Sequence, residues 1–72
     1  MQDQQTKLET VKQKLAEHFT ASRVRSVGNV IRLNTPSLED KDIVELGVLS
    51  IELTCYVQVK RSGTGLAVIV TV

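Results

Sequence analysis

Apolar and polar residues alternate almost without interruption from Val48 to Lys60. A repeat of two residues over this length is typical of a β-strand with one buried and one wetter face. We therefore predict a long strand here and, with the strand that follows, a β-hairpin over residues 47–72. The apolar positions of the first strand are Leu49, Ile51, Leu53, Cys55, Val57 and Val59.

The turn of this hairpin has two possible positions. A turn at Ser62-Gly63 pairs Val59 with Leu66, whereas a turn at Gly63-Thr64 pairs Val59 with Val68. Both turns contain an even number of residues, so both keep the strong hydrophobic residues of the two strands on one face. The pattern thus predicts the face and leaves the register open.

Residues 3–22 have the pattern of an amphipathic helix. Leu8, Val11, Leu15 and Phe19 follow one another at spacings of three, four and four, with charged residues between them. Neither Gly nor Pro interrupts the segment. We expect this helix to pack on the apolar face of a sheet, and a short coiled coil is the alternative.

Residues 23–34 are consistent with either one irregular strand or a tight hairpin. The hairpin would have Gly28-Asn29 as its central residues, in the type II′ turn that Gly at the first central position favours. Its register would place Arg25 opposite Arg32, an unfavourable pair unless an acid or an anion lies near it.

Residues 35–46 form either a loop or a short helix. Pro36 biases its predecessor towards extended geometry, Ser37 with Asp40 resembles a capping box, and Gly47 suits a helix end. A helix over residues 38–46 would present Leu38, Ile43 and Leu46 on its apolar side.

Together these elements predict a single α+β domain over residues 1–72, with the N-terminal helix across an antiparallel sheet of three or four strands. One helix covers one face only, and the last strand, Leu66 to Val72, carries no charge. As an exposed edge it would pair with another chain. We therefore expect a homodimer, with an interface formed by Thr54, Tyr56, Ile69, Thr71, Val68, Val70 and Val72.

The size of the chain supports self-association. A domain of 72 residues buries only about 60% of its unfolded surface, and small domains often need a further source of stability. The single cysteine, Cys55, excludes an internal disulfide, and Cys55 with His18 is too small a set for structural zinc. Without a secretory pattern at the N-terminus or a long apolar run, we expect a cytoplasmic location.

No residue pattern indicates catalysis. The sequence has no phosphate-binding loop, dinucleotide fingerprint, paired metal-binding histidines or nucleophile elbow. His18 is the one general acid–base candidate near neutral pH, and it lies beside the apolar stripe of the helix. We expect no enzyme activity, cofactor or metal, and predict a protein-interaction and oligomerisation module.

The net charge is only +1, but its distribution suggests a second function. Residues 23–33 contain three arginines and no acid, whereas residues 34–52 contain five acids and one lysine. Oppositely charged segments of this kind commonly neutralise each other within a fold or across a dimer. The alternative is weak nucleic-acid binding by a basic rim of Arg23, Arg25, Arg32, Lys60 and Arg61.

The stretch from Asp42 to Leu49 resembles the strand-entry motif of the small domain associated with iron–sulfur cluster assembly. The preceding Asp-Pro-Glu and the later Thr-x-Pro-x-Cys of that family are absent from this sequence. The resemblance implies a strand beginning in this stretch, and no function is transferred from it.

Overall fold

The computed structural model describes residues 4–72 as two helices and four strands, which confirms the predicted α+β class. The elements, in chain order, are α1 Gln4–His18, β1 Val24–Val27, β2 Val30–Thr35, α2 Asp40–Glu52, β3 Tyr56–Ser62 and β4 Gly65–Thr71. The strands form one antiparallel sheet in the order β1-β2-β4-β3. The chain is thus a helix and a hairpin followed by a second helix and hairpin, with β2 and β4 paired at the centre.

Both hairpins have two-residue turns led by glycine. Gly28 has a φ of 60° and Gly63 a φ of 59°, whereas the second turn residues, Asn29 and Thr64, are not in the left-handed region. This combination is the signature of the type II′ turn, whose twist matches that of the flanking strands. The structure therefore has the predicted hairpin at residues 24–35 and the Gly63-Thr64 register at the C-terminal one.

The core lies between the helices and one face of the sheet. Val11 and Leu15 of α1 are fully buried, and Ile31, Val68 and Val70 of the two central strands are fully buried as well. Each helix packs nearest to the outer strand of its own unit, α1 on β1 and α2 on β3. The buried cluster is Val11, Leu15, Phe19, Ile31, Leu33, Leu46, Leu49, Val68 and Val70.

The long strand predicted from Val48 is wrong, because α2 continues through Glu52 and β3 begins only at Tyr56. Leu46 and Leu49 bury against the sheet at helical spacing and override the alternating pattern. The short-helix alternative was the better one, but Gly47 lies inside the helix, and Glu39 instead of Ser37 precedes its first turn. The strand start implied by the iron–sulfur resemblance therefore falls within a helix.

The end of α1 also differs from the sequence prediction. Helix α1 ends at His18 and not at residue 22, because residues 20–22 form a turn in which the N–H of Ser22 donates to the carbonyl of Phe19, whose own N–H still donates to the carbonyl of Leu15. The predicted start at Asp3 lies outside the described residues.

Strand β4 is not an edge, since it pairs with β2 on one side and β3 on the other. The edges are β1 and β3.

Asp42 joins the two helices. Its Oδ1 lies 2.7 Å from Nε2 of His18 at the end of α1, and its Oδ2 accepts a hydrogen bond of 2.9 Å from the backbone N–H of Glu39. These contacts give His18 a structural role, because they connect the end of α1 to the first turn of α2. The hydrogen bond from the Glu39 N–H lowers the pKa of the Asp42 carboxyl below its ordinary value of 3.8, and the hydrogen bond with His18 is the second largest cause of this lowering.

We predict that the contribution of Asp42 to stability is lost in acid. A carboxyl whose pKa is lower in the folded chain stabilises the fold above its unfolded value and ceases to do so as the pH falls through the folded value. Asp42→Asn should therefore lower the melting temperature at pH 6, and the difference from the parent protein should shrink below about pH 4. Thermal unfolding followed by circular dichroism across pH 2–7 measures this.

Asp40→Asn is the control, because it removes a carboxylate from the same first turn of α2 at an exposed position. An equal loss in the two variants, with the same dependence on pH, would show that the helix dipole and not the His18 contact is responsible.

Candidate functional site

The helices cover one face of the sheet and leave the other uncovered. The strand register assigns the side chains of this open face, because residues directly paired across strands point to the same side. These side chains form three rows that run across the strands. The first row contains the pair Val27↔Val30, the second the pair Arg25↔Arg32 and the third the pair Asn34↔Ala67. The open face consists of Arg25, Val27, Val30, Arg32, Asn34, Tyr56, Gln58, Lys60, Ala67, Ile69 and Thr71.

The charges of the chain are separated by layer. Residues 19–38 and 53–72, which include all four strands, contain no Asp or Glu. The open face therefore carries Arg25, Arg32 and Lys60 without an acidic neighbour on any strand. Acidic residues are concentrated around α2, where Glu39, Asp40, Asp42, Glu45 and Glu52 stand against the single cation Lys41.

Arg25 and Arg32 are direct cross-strand partners. Together with Arg23 and Asn34 they line an open groove of about 340 Å³ beside the β1–β2 hairpin. Like charges in this position repel one another, and a bound anion would remove the repulsion. Planar guanidinium groups suit phosphate oxygens because they can donate two parallel hydrogen bonds. The groove therefore has side chains whose charge and geometry suit an anion.

The rest of the open face offers stacking and amide groups. Tyr56, on the edge strand β3, is 63% exposed, and its hydroxyl accepts a long hydrogen bond of 3.5 Å from Nε2 of Gln58. Ala67, between Asn34 and Lys60, is only 1% exposed, so the longer side chains around it cover it almost completely.

The structure places four of the five residues of the predicted basic rim on one side of the sheet, three of them beside one another. Arg25, Arg32 and Lys60 belong to the open face, and Arg23 lines the groove next to them. Arg61 is paired with Leu66, on the opposite parity of the sheet. It is exposed but lies on the helix side, so it does not belong to this surface.

The predicted dimer interface is divided by the fold. Tyr56, Ile69 and Thr71 lie on the open face, as expected from their parity. Val68 and Val70 are fully buried beneath the helices and cannot contact a second chain, which corrects their assignment.

The two other predicted interface residues lie outside the strands. Thr54 is in the α2–β3 connection with a φ of 51°. Val72 follows β4, and its N–H donates a 2.9 Å hydrogen bond to the carbonyl of Asn29, so that it ties the C-terminus to the first hairpin.

Sequence reasoning missed Asn34 and Val27 as members of the open face. The cross-strand neighbours of Asn34, and the position of Val27 in a shared row with Thr71, depend on the pairing of β2 with β4. That pairing joins segments far apart in the chain, and no local pattern specifies it. A search for polar residues on the same parity as Arg32 would have found Asn34.

Cys55 lies away from the open face. Its Sγ is within 3.4 Å of the Leu49 carbonyl, to which the thiol donates, and its burial raises its pKa above the ordinary value. The raised pKa disfavours the reactive thiolate at neutral pH. This agrees with a packing role for Cys55.

Comparison with known proteins gives no relative. No protein family, no curated protein and no solved structure matches this chain. Neither α1 nor α2, the helices found in the described part of the chain, is long and apolar enough to cross a membrane.

We predict that replacing one member of the arginine pair stabilises the isolated protein. Arg25→Gln removes the like-charge repulsion while keeping a long polar side chain, so the free energy of unfolding should rise by about 0.5 kcal/mol at low salt. The gain should disappear at 1 M salt, where such repulsion is screened. Urea unfolding at both salt concentrations measures it.

Lys14→Gln is the matched control, since it removes the same charge from an exposed position on α1. A gain equal to that of Arg25→Gln would point to the overall charge of the chain, and a loss in Arg25→Gln would mean that the arginine pair is not repulsive.

Proposed function

We propose that the open face binds single-stranded nucleic acid. The observation that carries the proposal is the placement of Arg25, Arg32 and Lys60 on one uncovered sheet face, in strands that contain no acid. Phosphate contacts of this kind supply most of the affinity in binding that is independent of sequence. The established oligonucleotide-binding sheets combine such cations with exposed aromatic rings, and Tyr56 supplies one here.

The positions of the cations define a path for the strand. Arg25 lies on one edge strand and Lys60 on the other, so three strand spacings, about 14 Å, separate them across the sheet. A nucleic-acid backbone that crosses the sheet diagonally passes Arg25 and Arg32 and then Lys60. Tyr56 lies four residues from Lys60 on β3, about 13 Å along the strand, so its ring can stack on an unpaired base that extends from this path.

The same features define the type of binding. A single exposed ring and two amide side chains, Gln58 and Asn34, provide few contacts to base edges. Affinity should therefore come mainly from phosphates, depend strongly on salt and vary little with sequence.

Nucleic acid explains the open face better than a second copy of it. Two such faces packed together would bring Arg25, Arg32 and Lys60 of one chain against the same cations of the other. Like charges brought together across an interface oppose association. In addition, Val68 and Val70, which were expected to supply the apolar contact, are buried in the core.

The salt dependence of binding to a fluorescein-labelled oligothymidylate, measured by anisotropy, tests the phosphate contacts. With three contacts, the slope of log K against log salt should be about −2, and Arg25→Ala or Arg32→Ala should reduce its magnitude by about 0.7. Arg61→Ala and Lys14→Ala remove the same charge away from the open face and should leave the slope nearly unchanged. Equal effects in all four variants would refute a defined site.

Tyr56→Ala tests the stacking contact separately. Loss of one stacked base costs about 1–3 kcal/mol, so the affinity should fall at every salt concentration while the slope stays the same. Absence of any binding by the parent protein at 20 mM salt would contradict the proposed function outright.

A further inference from the structure

Helix α2 has two apolar sides. Leu46 and Leu49 face the sheet and are buried. The opposite side also carries large apolar residues at the spacing of a helical stripe, and none of them is covered. This outer stripe consists of Ile43, Val44, Gly47, Val48 and Ile51, in which Ile51 is 81% and Val44 63% exposed.

Gly47 lies at the middle of the outer stripe. A Cβ built on it would meet no atom within 4 Å, so the surface is open at this point. A residue without a side chain at the crossing point of two helices allows their backbones to come close together. In this chain Val44 lies one turn before Gly47 and Ile51 one turn after it, on the same side of the helix.

The charges beside the stripe favour one occupant. Five acids and one lysine lie within residues 39–52, a balance that repels nucleic acid and anionic lipid surfaces and also opposes a second α2 unless the cation of each chain is aligned with an acid of the other. Lys41 and Glu52 lie on the same flank of the stripe, near opposite ends of α2. An antiparallel copy of the helix would bring Lys41 against Glu52 of the second chain, twice by symmetry.

We propose that the outer stripe is a homodimer interface, in which α2 packs antiparallel against α2 of a second copy around a two-fold axis near Gly47 and Val48. Val44 of one chain then packs against Ile51 of the other. The opposed helix dipoles attract one another in this arrangement, whereas a parallel pair would place like ends together. Asp40 extends past the end of the facing helix into water.

The size of the stripe determines the strength of the dimer. Stable interfaces bury about 800 Å² on each partner, and one helix of this length provides less. The dimer should therefore dissociate in the micromolar range. It would turn the helix layers inward and leave both open faces outward, so this inference does not depend on the proposed nucleic-acid function.

Sedimentation velocity over 5–500 µM tests the interface with two matched variants. Ile51 and Val27 are both 81% exposed, but Ile51 is on the outer stripe and Val27 on the open face. We expect the parent protein and Val27→Lys to shift from monomer to dimer with concentration, and Ile51→Lys to remain monomeric. Circular dichroism should show equal helix content in all three, because neither position contributes to the core.

A parent protein that stays monomeric to 500 µM would overturn the proposal. So would a dimer that is lost in Val27→Lys and retained in Ile51→Lys, since this result would place the contact on the sheet.

Charge reversal tests the antiparallel orientation. Lys41→Glu should raise the dimer dissociation constant about tenfold, because it replaces two attractions by two repulsions. Combining it with Glu52→Lys should restore association. Both changes improve the fit of charge to the helix dipole, but Lys41 also pairs with Glu39 of its own chain at 3.5 Å. Circular dichroism of the single variant should therefore show the helix content of the parent protein, so that a weaker dimer reports on the interface and not on a less stable α2. Failure of the double variant to recover would overturn the antiparallel arrangement.

Discussion

The antiparallel pairing of β2 with β4 is the contact on which the rest of the structure depends. It runs from Val30↔Thr71 to Thr35↔Leu66 and joins two hairpins that are separated in the chain by the whole of α2. A two-stranded hairpin alone is marginal in water. The central pairing sets Ile31 and Leu33 beside Val70 and Val68, and only this four-stranded surface is wide enough to bury the apolar sides of both helices.

The same pairing determines the chemistry of the open face. Because side chains alternate strictly along each strand, burying one parity collects the other on the uncovered side. Arg32 and Asn34 of the first unit are thereby brought beside Ile69 and Ala67 of the second. The two units even contribute cations at equivalent places, since Arg25 and Lys60 each lie three residues before the turn glycine of their hairpin.

The parts of the fold that local chemistry specifies could be predicted from the sequence. Gly28 and Gly63 adopt the positive φ that their turns need, and the alternation beside them allows few registers. Most of the basic face follows from these two hairpins. Helix α1 could also be predicted, except for its end at His18, after which residues 20–22 form a turn.

Helix α2 shows where such reasoning fails. Its outer stripe fills the positions that are usually polar in a surface helix, so the helical period disappears from the pattern. The alternation of Leu49, Ile51 and Leu53 then resembles a strand, although Leu49 faces the core and Ile51 faces water. Gly47 adds a false stop signal. The interior position of β4, and with it the burial of Val68 and Val70, depends on a long-range pairing that no local pattern specifies.

The two unpartnered surfaces lie on opposite sides of the molecule, and each has a free-energy cost in the isolated chain. The open face holds Arg25 against Arg32, and the outer stripe exposes Val44 and Ile51 to water. A domain of 72 residues has little stability to lose. A partner that binds only the folded chain adds to its stability by mass action. Since the two surfaces share no residue, stabilisation by the proposed anion on the sheet and by the proposed second α2 would be nearly additive.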